Sequence, residues 1–407
     1  MTDPGKRDLP SANRISMVPL KLSELAEGLK RQAGFLGFAE ARITAAVEPG
    51  RYSDFLTWLD HGYAGEMSYL ESRKDAYRHP ASVMAGVRTI LVLALPYSPK
   101  PTNQSPLATG VGRIARYACG SVDYHDWIHD RLKQLGHWLE QHYARTNESL
   151  SESLAFRGIV DTAPLLEREF AQLSGMGWIG KNTLLLNRTL GSYFFLACLL
   201  TNIDLPCDSS HVQDHCGSCR ACIEACPTQA FVEPHVLDAS RCISYLTIEQ
   251  RGMPPIELRS GIGDWLYGCD ICQEVCPWNR RAPSLMEEAF QPSTSFTELP
   301  LREILSMDQE HFRVHFRRTP FWRAKRRGVL RNAAIVAGNQ RSPDCIEPLK
   351  RLLQDEDELI RAAAVWSLSQ MELQNIEEIF EPLSLKEQSS LVQAELQYFR
   401  QTRTRAL

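Results

Sequence analysis

Eight of the twelve cysteines fall in a pattern that can hold iron. Cys216-x2-Cys219-x2-Cys222-x3-Cys226-Pro227 is followed by a shorter run, Cys269-x2-Cys272-x3-Cys276-Pro277, with Cys242 between them. In the bacterial ferredoxin arrangement three thiolates of such a run hold one 4Fe-4S cubane, and the cysteine before proline crosses to the other cluster. The second run supplies two ligands and its own pre-proline cysteine, so Cys242 completes the set. The expected assignment is Cys216, Cys219, Cys222 and Cys276 around one cluster, and Cys226, Cys242, Cys269 and Cys272 around the other. Four-coordinate zinc is the competing use of Cys-x2-Cys pairs, from which the x2, x2, x3 and proline spacing differs. Cys119, Cys198, Cys207 and Cys345 lack ligand spacing and are expected to be ordinary buried or half-buried residues, although Cys119 sits in a polar, aromatic stretch.

Two cubanes pass single electrons, so reduction of an organic substrate needs a further centre, and the rest of the chain must position it. The 407 residues, 43% of them hydrophobic, suggest two or three domains, and a formal charge of -4 gives no global attraction to phosphate. Met1 to Arg14 is polar with no apolar run behind it, and the longest apolar run, Tyr193 to Leu200, is far short of a membrane span. The expectation is a cytosolic protein without membrane attachment. Many cysteines in a large chain of that kind point to metal or redox chemistry rather than disulfides.

Periodicity predicts helices over Lys21–Gly37 and Tyr124–Tyr143 and strands over Arg88–Leu95, Ala155–Asp161 and Gly191–Thr201, an α/β domain, with a surface loop over Pro99–Gly112. The predicted division is a loose tail 1–15, an α/β domain 16–205, a ferredoxin-like two-cluster module 206–285 and a helical domain 286–407, the last two joined through the Pro-containing stretch Pro283–Pro292. In the helical domain Arg331-Asn-Ala-Ala-Ile-Val-Ala-Gly-Asn339 is echoed by Arg361-Ala-Ala-Ala-Val-Trp-Ser-Leu-Ser369. This suggests a short HEAT-like solenoid that must dock on the core, the alternative being two unrelated Ala-rich amphipathic helices. The chain lacks a Gly-x-Gly-x-x-Gly turn, which leaves a Rossmann-type flavin or nicotinamide site unsupported.

Three segments converge with the cysteine runs: Arg116-Tyr-Ala-Cys-Gly-Ser-Val-Asp-Tyr-His125, Val160-Asp-Thr-Ala-Pro-Leu-Leu-Glu-Arg168 and Gly175-Met-Gly-Trp-Ile-Gly-Lys-Asn182. With Cys242-Ile-Ser-Tyr-Leu-Thr-Ile-Glu249 they resemble the epoxyqueuosine reductases, over roughly Gly65 to Trp366. The resemblance implies a nitroreductase-like α/β core with cobalamin bound base-off. The cobalamin, fed by two 4Fe-4S clusters, would reduce epoxyqueuosine to queuosine at the wobble position of tRNA. It implies Asp161 as proton donor, a role that calls for burial against the corrin, because an ordinary Asp has a pKa near 4. The competing reading of Asp161 is a helix N-cap ahead of Pro164 and Leu165. The resemblance further implies cobalamin contacts from Asp161, Leu185, Leu196, Ser244, Cys269 and Asp270. The chain departs from the family in two places. Two residues separate Gly120 from Asp123 where one is expected, and before Pro80 the arginine is Arg78 rather than residue 77. A reductive dehalogenase-like reductase of a small molecule and a non-catalytic ferredoxin-like adaptor are the competing functions.

Between Arg313 and Arg331 lies a basic run without an acidic residue. Arg317, Arg318, Arg323, Lys325, Arg326, Arg327 and Arg331 are its candidate tRNA contacts, with Phe316, Phe321 and Trp322 for base stacking. Its alternative is an intramolecular match to the acidic stretch Asp355–Glu358. The electron donor stays unnamed, and a monomer is expected, since no extended apolar face is left over.

Overall fold

The computed structural model describes residues 20–97, 108–146, 153–211, 213–282, 288–291 and 299–406. The predicted tail 1–15, most of the loop 99–112 and most of the stretch 283–292 lie outside these residues. Helix α1 (Leu22–Phe35) is followed by strand β1 (Glu40–Ala45), strand β2 (Thr89–Pro96), helix α2 (Tyr124–Tyr143), strand β3 (Phe156–Ile159), helix α3 (Glu167–Leu173) and strand β4 (Phe194–Thr201). The predicted helices and central strands stand within a few residues of these bounds; β1 went unpredicted, and β3 ends two residues before Asp161.

The four strands form one sheet in the order β1-β2-β4-β3, and every neighbouring pair is antiparallel. β2 is buried at all eight positions because both faces of the sheet are covered. Leu91, Leu93 and Leu95 pack with Leu25, Leu29, Ile128 and Leu132 of α1 and α2, while Ile90, Val92 and Ala94 pack with Phe170 and Ala171 of α3. The period-two alternation of a strand sends successive side chains to opposite layers. In β4, paired with β2 from Thr89↔Thr201 to Pro96↔Phe194, the same alternation puts Phe194 and Leu196 on the α3 side.

After β4 the cysteine-bearing segment has little regular structure. Its longest helices are α4 (Ile243–Ile248) and the short helix Ile256–Ile262, and its strand β5 (Trp265–Tyr267) pairs in parallel with Arg113–Ile114 of the α/β region. Helices α5 (Lys325–Gln340), α6 (Glu358–Ser369) and α7 (Ser390–Ala406) follow. The two echoed segments lie on α5 and α6, which pack against each other in one buried cluster with Leu266 and Tyr267 of β5.

The expected docking of this helical layer is visible in three polar plugs. Arg331 is fully buried and donates to the carbonyls of Leu246, Gln250 and Gly252, each at 2.7 Å. Asn332 donates to Thr247 O at 2.8 Å and Leu266 O at 2.9 Å. Arg259 and Glu395 form a buried bidentate pair at 2.7 and 2.8 Å. Breaking such a pair on one side leaves an uncompensated buried charge, at a cost of about 3–5 kcal/mol. Among the described residues no helix is long and apolar enough to cross a membrane.

Candidate active site

The eight motif cysteines gather as two groups of four. Cys222 lies within electrostatic reach of Cys216, Cys219 and Cys276, and Cys276 of Cys219. Cys269 is in the same relation to Cys242 and Cys226, and Cys272 to Cys242 and Cys269. Cys272 also feels Cys222, so the two tetrads adjoin. The glycines of the 175–182 motif let the backbone close on the first tetrad: a Cβ on Gly177 would stand 2.0 Å from Leu186 O, and one on Gly175, at φ +83°, 2.1 Å from Ser209 O. Trp178 is thereby packed against Leu186, Cys276 and Cys216.

Burial pushes the thiols of Cys216, Cys222, Cys242, Cys269, Cys272 and Cys276 above their ordinary range. Thiolates there call for a strong local positive charge, which bound iron supplies. Among the described residues no three His, Cys, Asp or Glu side chains close tightly enough to hold a single metal ion; a cubane, with its irons between the sulfurs, needs a wider set. Of the other cysteines, Cys119, Cys198 and Cys345 are buried as expected, while Cys207 is exposed.

A cavity of about 1090 Å³ lies against the second tetrad. Its walls include Trp58 and Met67, which pack against the same buried cluster as Cys242 and Cys269, and Tyr97, which feels the charge of Cys272. That volume is just above the usual range for a small-molecule pocket, and with its aromatic and aliphatic walls it suits a large group. Of the residues expected to touch cobalamin, Asp161, Leu185 and Leu196 are on its walls. Ser244, Cys269 and Asp270 are not. Cys269 belongs to the second tetrad, and buried Asp270 accepts from the backbone N of Arg116 at 2.8 Å. Burial raises the Asp270 carboxyl to about 6 against the opposing pull of Arg116.

On the cavity wall Asp161 joins a network that sequence reasoning did not assemble. Asp123 caps α2, accepting from His125 N at 3.0 Å, and so presents Tyr124 and His125 in the first turn. The His125 imidazole lies between two carboxylates, Nδ1 to Asp123 Oδ1 at 2.7 Å and Nε2 to Asp161 Oδ1 at 2.8 Å. The Tyr124 hydroxyl donates to Asp161 Oδ2 at 2.5 Å. An imidazole donating from both nitrogens is an imidazolium. Burial opposes that charge, but the bonds to Asp123 and Asp161 outweigh it and raise His125 to about 10. The extra residue between Gly120 and Asp123 therefore does not keep the loop from reaching Asp161.

Asp161 does not cap a helix, because α3 begins at Glu167 with Leu166 before it. Its φ is +43°, a left-handed conformation that Asp adopts more readily than most residues. Its backbone N donates to Glu167 Oε1 at 2.8 Å. Burial, reinforced by the Asp161 charge, raises the Glu167 carboxyl to about 8. The Asp161 side chain is 47% exposed, facing the cavity rather than buried within the protein. The sequence signal for its partners was the Asp-Tyr-His triplet opening a helix, quoted as part of a motif but not as a site.

The basic run divides. Arg331 is a buried plug and cannot reach a phosphate, a correction to its expected role in tRNA contact. Phe316 and Phe321 are likewise buried, so neither can stack on a base. Arg326 pairs with Asp355 at 2.7 Å and Arg327 with Asp357 at 3.0 Å, so the acidic stretch takes up both. Arg323 grips Glu249 at 2.9 and 3.1 Å and lies over Tyr69, next to cavity residues Met67 and Leu70. Arg317, Arg318 and Lys325 are exposed.

Comparison with known proteins gives three matches to family models: epoxyqueuosine reductase QueG (DUF1730) over residues 78–162, a 4Fe-4S double cluster binding domain over 215–279, and HEAT repeats over 323–397. The epoxyqueuosine reductase of Pseudomonas aeruginosa is 39% identical over 363 residues, spanning 88% of this chain and 97% of that one. Its Escherichia coli K12 counterpart is 37% identical over 356 residues, 86% and 91% of the two chains. A crystal structure of epoxyqueuosine reductase with an epoxyqueuosine-modified tRNA-Tyr stem loop superposes with a TM-score of 0.85 at 28% identity, covering 93% of this chain and 98% of that one. The Bacillus subtilis enzyme, with its catalytic loop swung out of the active site, gives 0.83 at 27% identity, covering 93% and 99%.

Proposed function

This chain belongs to the epoxyqueuosine reductase family, and on that premise we propose the reading its geometry supports best: it reduces the epoxide of epoxyqueuosine, at the wobble position of tRNA, to the alkene of queuosine. Both carbon–oxygen bonds of the epoxide break, a carbon–carbon double bond forms, and the oxygen leaves as water with two electrons and two protons. The observation that carries the reading is one cavity with the second thiol tetrad behind one wall and a proton-holding carboxylate–imidazole network on another.

The first tetrad, Cys216, Cys219, Cys222 and Cys276, holds one 4Fe-4S cluster, and Cys226, Cys242, Cys269 and Cys272 hold the second. Exposed Cys219 opens this path to solvent, and the electrostatic reach between Cys222 and Cys272 joins its two halves. Cobalamin, bound base-off along Leu185 and Leu196, would supply low-potential two-electron reduction at its metal. The core, an antiparallel sheet between helical layers, is read as nitroreductase-like, and the 16–205, 206–285 and 286–407 divisions as its functional units, working as a monomer.

Asp161 passes a proton to the epoxide oxygen, drawn from the His125 imidazolium across the Nε2–Oδ1 bond. His125 carries the charge that compensates the carboxylate, Asp123 fixes the ring, and Tyr124 holds the second carboxylate oxygen. General acid assistance of this kind is worth about 10²- to 10⁴-fold. Arg317, Arg318, Lys325 and Arg327, with Arg323 at the cavity rim, are the tRNA contacts that the burial pattern leaves available.

The test is anaerobic reconstitution of both clusters, with and without cobalamin, then dithionite, epoxyqueuosine-containing tRNA and nucleoside mass spectrometry. Queuosine formed only with cobalamin supports the reading. No queuosine from a fully loaded protein overturns it and favours a small-molecule substrate.

A further inference from the structure

Electrons must enter at the tetrad that reaches the surface, and the surroundings of that tetrad specify what can bring them. Cys219, Gly217 and Ser218 are exposed, whereas Cys276 is buried and the second tetrad backs onto the cavity. Around this edge the cations outnumber the carboxylates. Lys181 lies across the loop, its Nζ donating to Gly217 O at 2.6 Å and Cys219 O at 2.9 Å. Arg188 is exposed and donates to His215 Nε2 at 3.0 Å, next to Cys216. Arg220 adjoins Cys219 in the chain, and exposed Arg280 acts on the Cys276 thiol. Among the described residues, the carboxylates bonded or paired at this edge are Glu224, 3.8 Å from Arg220, and Asp214, which accepts from Cys216 N at 2.8 Å. The chain as a whole is negative, at -4, so this edge stands out against it.

We propose that the face formed by Lys181, Arg188, Arg220 and Arg280 around Cys219 is the docking surface for an acidic, one-electron carrier protein, which passes electrons singly to the first cluster. Opposite charges orient the encounter, and the exposed cysteine edge brings the two redox centres close. The alternative occupant of a positive surface is tRNA phosphate. The requirement for an electron path favours the carrier, because the ring of cations surrounds the cysteine edge. The inference rests on the proposed function.

The experiment uses the reconstituted full-length holoenzyme and, as probe, a reduced acidic plant-type 2Fe-2S ferredoxin, following cluster bleaching by anaerobic stopped flow. For the wild type, the second-order rate constant should fall steeply with added salt. The double variant Arg188→Glu, Arg280→Glu should be slower by about tenfold or more at low salt, with bleaching by dithionite and affinity for tRNA both unchanged. Equal ferredoxin rates for the two proteins and no salt dependence overturn the proposal. Loss of tRNA affinity with an unchanged ferredoxin rate also overturns it and assigns the face to RNA. Dithionite-driven queuosine formation separates the two levels: if it fails while ferredoxin reduction stays charge-dependent, the enzyme reading falls and the docking surface stands.

Discussion

The thiol tetrads, the second of them against the cavity, and the carboxylate–imidazole network on the cavity wall differ in how the chain makes them. Seven of the eight cysteines come from two short runs in which the spacing itself brings the sulfurs round a centre. Asp123, Tyr124, His125, Asp161 and Glu167 come from the start of α2, the turn after β3 and the start of α3, and touch only once the sheet has formed. The electron side therefore rests on local spacing completed by cysteines that cross between the runs, and the proton side on tertiary packing alone. The first should fail by losing its metal and the second by losing its geometry while the metal stays.

The largest break is expected from Cys272→Ser. Loss of the cluster nearer the cavity should lower iron from about eight to about four per chain and take turnover to background. Asp161→Asn should cut queuosine formation by about 10²- to 10⁴-fold while leaving iron content and cluster EPR signals unchanged; a loss of iron would erase the distinction between the two sides. His125→Gln should cost about tenfold or more. The charged imidazole is present below about pH 10 and lost above it, so the wild-type rate should decline as pH rises through that value, and the variant's should not.

Arg331→Met sharpens the contrast from outside the cavity. It strands the carbonyls of Leu246, Gln250 and Gly252, at and just beyond the C-terminal end of α4, the helix that follows Cys242, and should cost about 3 kcal/mol. A lower Tm and faster iron loss to a chelator, with tRNA affinity unchanged in the folded fraction, are the expected measurements. The smallest effect is expected from Glu167→Gln, because Glu167 holds its proton below about pH 8 and the amide mimics that neutral form. Turnover at pH 7 should stay within about twofold, and any decline centred near pH 8 in the wild type should vanish.

What could be read from the residues follows the same division. The Cys-x2-Cys spacings, the amphipathic period of α2 and the apolar run of β2 are local signals, and each appears in the structure near its expected bounds. The antiparallel strand order, β1 and the partners of Asp161 depend on contacts across the fold, which no local period encodes. Arg331 shows the limit most clearly. It sits in a basic run like its neighbours, yet it points into the core because α5 turns that side toward α4. Its echo Arg361 lies nearer the surface, paired with Glu387 at 2.7 Å. Identical residues in matching repeat positions thus serve different purposes, and only burial separates them.

The crossing of Cys276 back to the company of Cys216, Cys219 and Cys222 also sets a timetable for synthesis. A ribosome releases the first three of these sulfurs well before the fourth, and the second tetrad waits for Cys269 and Cys272 in the same way. Neither cage can close while the chain between the runs is still in the exit tunnel. Iron delivered early would meet an open, solvent-reachable set of thiols, so neither proposed cluster would be completed before the second run has been released.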